Sequence, residues 1–399
     1  MKSNYKKLGQ FIQKVDKRNK ELAVDNLKGL SMTKEFRVST SNIVGTDMSK
    51  YKIVEQWQFA CDFMSVIRVH AFPVVLNFDV APVLVSPAYP VFEVLDKELL
   101  DPEYLMMWFR RSEFDRYADF KCDSAIRGGF GWEELCDVEL PVPSIEKQRE
   151  IVREYNVVND RIALNEQLTQ KLEDTAQTIY KQWFVDFEFP ISKEYAESIG
   201  KPELEGKPYK SSGGKMEFCD KSMLEIPKGW KVETYEECFS FKTGKLNSNA
   251  AVVDGEYPFF TCSAETYKTN TFAFDGQAVL LAGNNASAIY PLKYYEGKFD
   301  AYQRTYVITP KSKNVSLLQI YFAIKSELEG FKGTSSGTAT KFLTMKILNP
   351  LNTVVAPKEV CEIVNKQLNI ILKKLLVLPK ELELLNELNP ILLAKISKD

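Results

Sequence analysis

The chain has 399 residues, 45% apolar and 27% charged, enough for about two to three domains of roughly 150 residues with ordinary buried cores. A formal charge of −2 argues against a protein that coats nucleic acid by bulk charge, because non-specific affinity comes from neutralised phosphates; basic groups gathered on one face remain possible. Apolar runs such as residues 80–85 and 370–378 fall short of the ~18 to 20 residues of a membrane span, and Met1-Lys2-Ser3-Asn4-Tyr5-Lys6-Lys7 leads into no apolar signal region. The expectation is a soluble cytoplasmic chain without a membrane partner.

In chain order, residues 1–144 form a mixed region with aromatic and β-branched runs, read as a first globular domain. A helical stretch follows over 145–188. Its apolar positions step by four and three through Ile151, Tyr155, Val158, Ile162, Asn165, Thr169, Leu172, Ala176, Ile179 and Trp183, with Phe184 beside the last, the seam of a coiled coil. Residues 189–225 are rich in Lys, Glu, Gly and Ser, with Lys201-Pro202, Lys207-Pro208 and Ser211-Ser212-Gly213-Gly214, and read as a linker with turns rather than a packed element.

The plan then recurs. A second mixed region over 226–356 reads as a second globular domain, and a second helix over 357–399 carries Val364, Leu368, Ile371, Leu375, Leu378, Leu382, Leu385 and Asn389 at the same spacing. Pro379 is expected to kink or restart this helix. Residues 130–135 and 342–347 hold equivalent places, each after a loop of small residues and before an apolar strand. The fold class expected is α+β: two mixed domains separated by a long antiparallel pair of coiled-coil helices. Each helix of about 40 residues would be about 60 Å long. Two core helices of a single domain are the alternative, against which the 3.5-residue repeat argues.

Catalytic chemistry finds little footing. There is no Asn/Asp-Pro-Pro-aromatic loop, and Gly213-Gly214-Lys215-Met216 and Gly244-Lys245-Leu246 are incomplete as phosphate-binding loops. His70 is the single histidine, which excludes a multi-histidine metal site. The seven cysteines form no Cys-x-x-Cys pair and read as buried thiols. No catalytic residue, metal or cofactor is expected.

Three stretches carry a family resemblance. Lys181-Gln182-Trp183-Phe184-Val185-Asp186-Phe187-Glu188-Phe189-Pro190, Gly206-Lys207-Pro208-Tyr209-Lys210-Ser211-Ser212-Gly213-Gly214-Lys215-Met216 and Ile226-Pro227-Lys228-Gly229-Trp230 closely resemble the central stretch of Type I restriction-modification specificity subunits. Pro141-Val142-Pro143-Ser144-Ile145-Glu146-Lys147-Gln148 resembles that family's passage from a recognition domain into its spacer helix. The second junction, Ala356-Pro357-Lys358-Glu359-Val360-Cys361, lacks the Pro-x-Pro and Glu-x-Gln pattern of the first. The resemblance implies two target recognition domains, each reading half of a split double-stranded DNA site, with two methyltransferase subunits acting on adenine N6 and restriction/motor subunits recruited through them.

Base readout needs Arg, Lys, Asn, Gln and small polar groups on loops. In the first region the candidates are Lys34, Arg37, Asn42, Arg68, His70, Arg116, Arg127, Gly128 and Gly129. In the second they are Lys242, Lys245, Asn247, Asn284, Asn285, Lys293, Tyr294, Arg304, Ser335, Ser336, Thr340 and Lys341. The seam residues are expected to hold the helix pair and its partners. An enzyme trimmed to its recognition end and a protein-binding coiled coil are the competing classes.

Overall fold

Both mixed regions open with a strand that pairs antiparallel with the strand just before a long helix. Tyr5–Lys7 lies against Glu139–Pro141 ahead of the first long helix, Ile145–Phe184. Lys231–Thr234 lies against Asn352–Val355 ahead of the second, Lys358–Lys395. A helical turn follows each opening strand, Leu8–Gln10 and Tyr235–Cys238, and a short helix precedes each closing strand, Trp132–Cys136 and Met345–Leu348. The backbone ties match as well: Leu8 N donates to Val138 O at 2.8 Å, and Tyr235 N to Leu351 O at 2.7 Å. The duplication inferred from position alone is therefore one of strand pairing.

The computed structural model describes residues 4–39, 45–123, 130–334 and 341–397. They divide into two compact units, one of residues 1–164 with 382–399, the other of residues 165–381, which disfavours a single domain around two core helices.

In the first unit a four-stranded antiparallel sheet runs in the order Ile12–Val15, Val91–Val94, Gln58–Cys61, Val74–Leu76. Its core is aromatic: Phe59 stacks on Phe92 with ring centres 4.8 Å apart, and Phe72 packs edge-on to Phe109 and Phe130. Gln148 ties the first long helix to this unit. It is fully buried, accepts from Asp101 N at 2.9 Å, and donates to Leu99 O at 3.0 Å and Pro143 O at 2.9 Å. The same Asp101 caps the helix Pro102–Phe109 by accepting from Glu103 N and Tyr104 N.

The second unit holds a six-stranded sheet in the order Phe239–Thr243, Thr305–Pro310, Phe274–Ala282, Leu292–Ala301, Tyr257–Phe260, Thr266–Thr269. Alternation along Phe274–Ala282 feeds two cores. Val279 and Leu281 join the main core with residues of the helix Leu317–Thr334, while Ala278 and Leu280 face a smaller cluster with Phe260, Phe299 and Val307.

All the seam positions of both long helices are buried or half-buried, while Val157, Leu164, Ile370, Val377 and Leu384 between them are exposed. Each unit pairs opposite ends of the helices. In the first, Lys395 Nζ meets Glu154 Oε2 at 2.8 Å and Asn389 Nδ2 meets Asn159 Oδ1 at 3.2 Å; in the second, Ala176 shares a core with Leu368 and Leu372. The pairing is antiparallel, and the α+β class stands.

Two expectations change. The second helix does not restart at Pro379 but runs on through Pro379 and Pro390, both exposed. Residues 189–225 are not an unpacked linker: Ile191, Ala196 and Tyr209 are buried in the main core, and Phe189 stacks on Tyr209 at 4.6 Å and on Trp230 at 5.0 Å. A polar composition hid a few aromatic residues that fold back onto the helix end.

Candidate nucleic-acid interface

Register brings three strand ends to one rim of the six-stranded sheet. Thr243 ends its strand opposite Tyr306, and Ala282 ends its own opposite Thr305. From this rim spring residues 244–247, residues 283–285 and the turn 302–304, while Asn284 and Asn285 pair with Phe342 and Lys341. Two glycines let these backbones meet: a Cβ at Gly244 would lie 1.7 Å from Ala301 O, and one at Gly283 would lie 2.4 Å from Arg304 O.

The turn 302–304 is pinned from three directions. Tyr302 N donates to Phe260 O at 2.9 Å, Gln303 N to Leu246 O at 3.0 Å, and Gly283 N to Arg304 O at 2.8 Å; Cys262 Sγ adds a longer contact to Arg304 O at 3.4 Å. Above this base the Arg304 guanidinium lies 5.0 Å from the centre of the Phe342 ring. A cleft of about 420 Å³ opens here, lined by Thr243, Gly283, Gln303, Arg304, Tyr306 and Phe342 among others.

Charge is segregated at the rim. Residues 242–247, 283–285, 302–306 and 341–346 include Lys242, Lys245, Arg304, Lys341 and Lys346 and no Asp or Glu. Among the described residues none of these five cations forms a salt bridge, although exposed lysines elsewhere do so, as at Lys221–Glu237 and Lys395–Glu154. In a chain of net charge −2, unpaired cations concentrated on one edge suit a polyanion.

Of the second-region candidates, Lys242, Lys245, Asn247, Asn284, Asn285, Arg304 and Lys341 thus come together. Lys293 and Tyr294 do not join them. Lys293 is half-buried and donates to Glu265 O and Thr266 Oγ1, both at 2.9 Å, and burial pulls its pKa down to about 8. Tyr294 donates to Glu173 Oε1 of the first long helix at 3.0 Å, and burial raises its pKa.

Lys34 also leaves the candidate set. Its ammonium is buried, donating to Phe109 O and, at 2.7 Å, to Asp115 Oδ1, and burial lowers its pKa despite that carboxylate. Arg37, Arg68, His70 and Arg116 are exposed. Arg37 and Arg68 both act on Tyr89, Arg68 Nη2 donates to Ser65 Oγ at 3.0 Å, His70 Nδ1 lies 3.0 Å from Asp119 Oδ1, and Arg116 pairs loosely with Glu113 at 3.9 Å. That surface is mixed in sign. Asn42, Arg127, Gly128, Gly129, Ser335, Ser336 and Thr340 lie outside the described residues.

The seam residues Ile151, Val158, Ile162, Leu172, Ile179, Trp183, Phe184, Val364, Leu368, Ile371, Leu375, Leu378 and Leu382 are all buried or half-buried, so a partner would meet the exposed positions between them. Sequence reasoning missed Gln148 as an anchor and Phe342 as the platform under Arg304. The Glu-x-Gln pattern at 146–148 was a signal for the first; nothing local signalled the second.

Residues 227–384 match the family of the Type I restriction modification DNA specificity domain, and they contain the whole rim. The Type I restriction enzyme EcoDI specificity subunit of Escherichia coli is 40% identical over 119 residues. Over part of its length the chain is thus similar to Type I restriction enzyme specificity subunits. The EcoDI match covers 30% of this chain and 26% of that relative, about a quarter of its length. A broader likeness is to the Type I restriction enzyme MjaIX specificity subunit of Methanocaldococcus jannaschii, 22% identical over 76% of this chain and 70% of that protein. In fold, the chain matches the crystal structure of a Type I restriction-modification system S subunit from M. genitalium with a TM-score of 0.60 and 15% identity, over 99% of this chain and 96% of that one. Among the described residues no group of three or more His, Cys, Asp or Glu side chains could hold a metal ion, and no helix is long and apolar enough to cross a membrane.

Proposed function

We propose that this chain is a specificity subunit that reads a bipartite double-stranded DNA site for a Type I restriction-modification enzyme and leaves the chemistry to its partners. The observation that carries the reading is the rim of the six-stranded sheet, with five unpaired cations, no carboxylate in its segments, and asparagine and glutamine amides among them. Cations satisfy phosphates and set the register of the protein on the duplex, while amides and a guanidinium match the donor and acceptor pattern of base edges.

Residues 1–144 and 226–356 act as the two target recognition domains, one for each half-site. The exposed faces of the helix pair dock two methyltransferase subunits that modify adenine N6, and restriction/motor subunits join through them. The subunit itself is a non-catalytic targeting component that needs no cofactor and works on cellular DNA in the cytoplasm.

The test is to co-express the chain with a Type I methyltransferase subunit from the same genome and to sequence host DNA for N6-methyladenine. The expected result is a split motif with a fixed gap, methylated only when the chain is present. Methylation unchanged by deletion of the chain would overturn the proposal.

A further inference from the structure

We propose that Arg304 and Gln303 are specificity-determining residues of the half-site read by the second unit, with Arg304 reading a guanine and Gln303 the neighbouring base pair from the major groove. This rests on the DNA-recognition reading above and assigns to two residues what that reading leaves to the whole rim.

The distinction lies between groups that hold phosphate and groups that read bases. A lysine ammonium is a point charge on a flexible stem that serves a phosphate from many positions. The rim carries four of these, Lys242, Lys245, Lys341 and Lys346. Guanine is read at O6 and N7 together, which the planar guanidinium fork matches with a more fixed geometry than an ammonium does, and adenine is read by an amide that donates and accepts side by side. Arg304 and Gln303 are the adjacent pair at the rim with those shapes, and both line the same cleft.

Their surroundings are built for presentation. The turn that bears them is held by main-chain bonds to Phe260, Leu246 and Gly283, from three separate segments of the unit. The Phe342 ring beneath the guanidinium restricts how the fork rotates. Among the described residues no carboxylate pairs with Arg304 and the side chain of Gln303 has no hydrogen-bond partner, though both are exposed. A rigid turn with two uncommitted, flat, hydrogen-bonding side chains has been ordered in advance, so little further entropy is lost on contact.

The experiment uses the chain in complex with its methyltransferase and a set of duplexes in which each base pair of the methylated motif is changed in turn. Affinities are measured by competition for the wild type, Arg304→Lys, Arg304→Ala and Gln303→Ala, with thermal unfolding of each variant as the check on folding. Arg304→Ala is expected to lose about 5- to 150-fold discrimination at one G·C pair, with the preferences at the other pairs of the motif unaffected, and Arg304→Lys to lose less. Replacing that guanine by 7-deazaguanine, which lacks the N7 acceptor, should weaken the wild type and leave Arg304→Ala unmoved. Gln303→Ala should relax the adjacent position.

If Arg304→Ala weakens all duplexes alike and lowers the salt dependence by about one phosphate contact, the residue holds phosphate and the inference is overturned. If the folded variants retain the wild-type preference at all positions, it is overturned while the DNA-recognition reading stands. If the wild-type complex itself shows no sequence preference, both fall together.

Discussion

Gly283→Ala tests whether the rim depends on one close backbone approach. The added Cβ would lie 2.4 Å from Arg304 O, where real Cβ contacts essentially never come under 3.0 Å, so the two backbones must separate by at least about 0.6 Å. Separation stretches the 2.8 Å bond from Gly283 N to Arg304 O. Gly283 is buried, so an unsatisfied donor there costs about 1–3 kcal/mol, and the overpacking costs about as much again. A net loss of about 2–6 kcal/mol in a unit of this size corresponds to roughly 4 to 24 °C in Tm.

The same shift moves the turn that carries Gln303 and Arg304, so DNA selectivity should weaken together with stability. Gly330→Ala is the matched control. Gly330 sits in the helix Leu317–Thr334 with nothing within 4 Å of its added Cβ, and alanine there should be neutral or stabilising by up to ~1 kcal/mol. Differential scanning fluorimetry and a DNA competition assay on both variants give the answer. If Gly283→Ala melted with the wild type and kept its full selectivity, the close approach would not be what organises the rim.

Two further predictions concern lysines that the fold withdraws from the surface. Lys34→Met leaves Asp115, whose side chain is 23% exposed, with Phe72 N, at 2.9 Å, as its remaining donor among the described residues; the expected cost is up to about 3–5 kcal/mol, read as a lower urea midpoint, with part recovered by adding Asp115→Asn and with the salt dependence of DNA binding unchanged. Lys293 has a folded pKa of about 8 against an ordinary 10.5, so between those values the unfolded chain binds more protons than the folded one, and stability relative to Lys293→Met should climb as pH rises from 8 to 10.5 and fall away as pH drops back through 8. Urea midpoints of both proteins across that window check the sign, and a difference that stays flat or declines with rising pH would reject the assignment.

The helix pair was legible because a seam is a local property. Steps of four and three between apolar residues place them on one face of a helix wherever it packs, and Val364, Leu368, Leu375 and Leu378 are buried as the spacing requires. The duplicated plan could be read for a similar reason, since strand, loop and helix signals recur in the same order along the chain. Missing catalytic motifs and the single histidine needed no structure to be noticed.

Tertiary structure decided which polar residues were spent and which were left free. Lys34 and Lys293 look like any surface lysine in sequence, yet one is committed to Asp115, 81 positions away, and the other to Glu265 and Thr266. Nothing local foretold that Tyr294 would donate to Glu173, or that aromatics within a polar stretch would stack on Trp230. The rim itself joins segments near residues 244, 283, 303 and 342, separated in sequence by up to about a hundred positions. Composition and period report what each segment prefers by itself; which loops share an edge, and which cations find a carboxylate, is set by long-range strand register and burial.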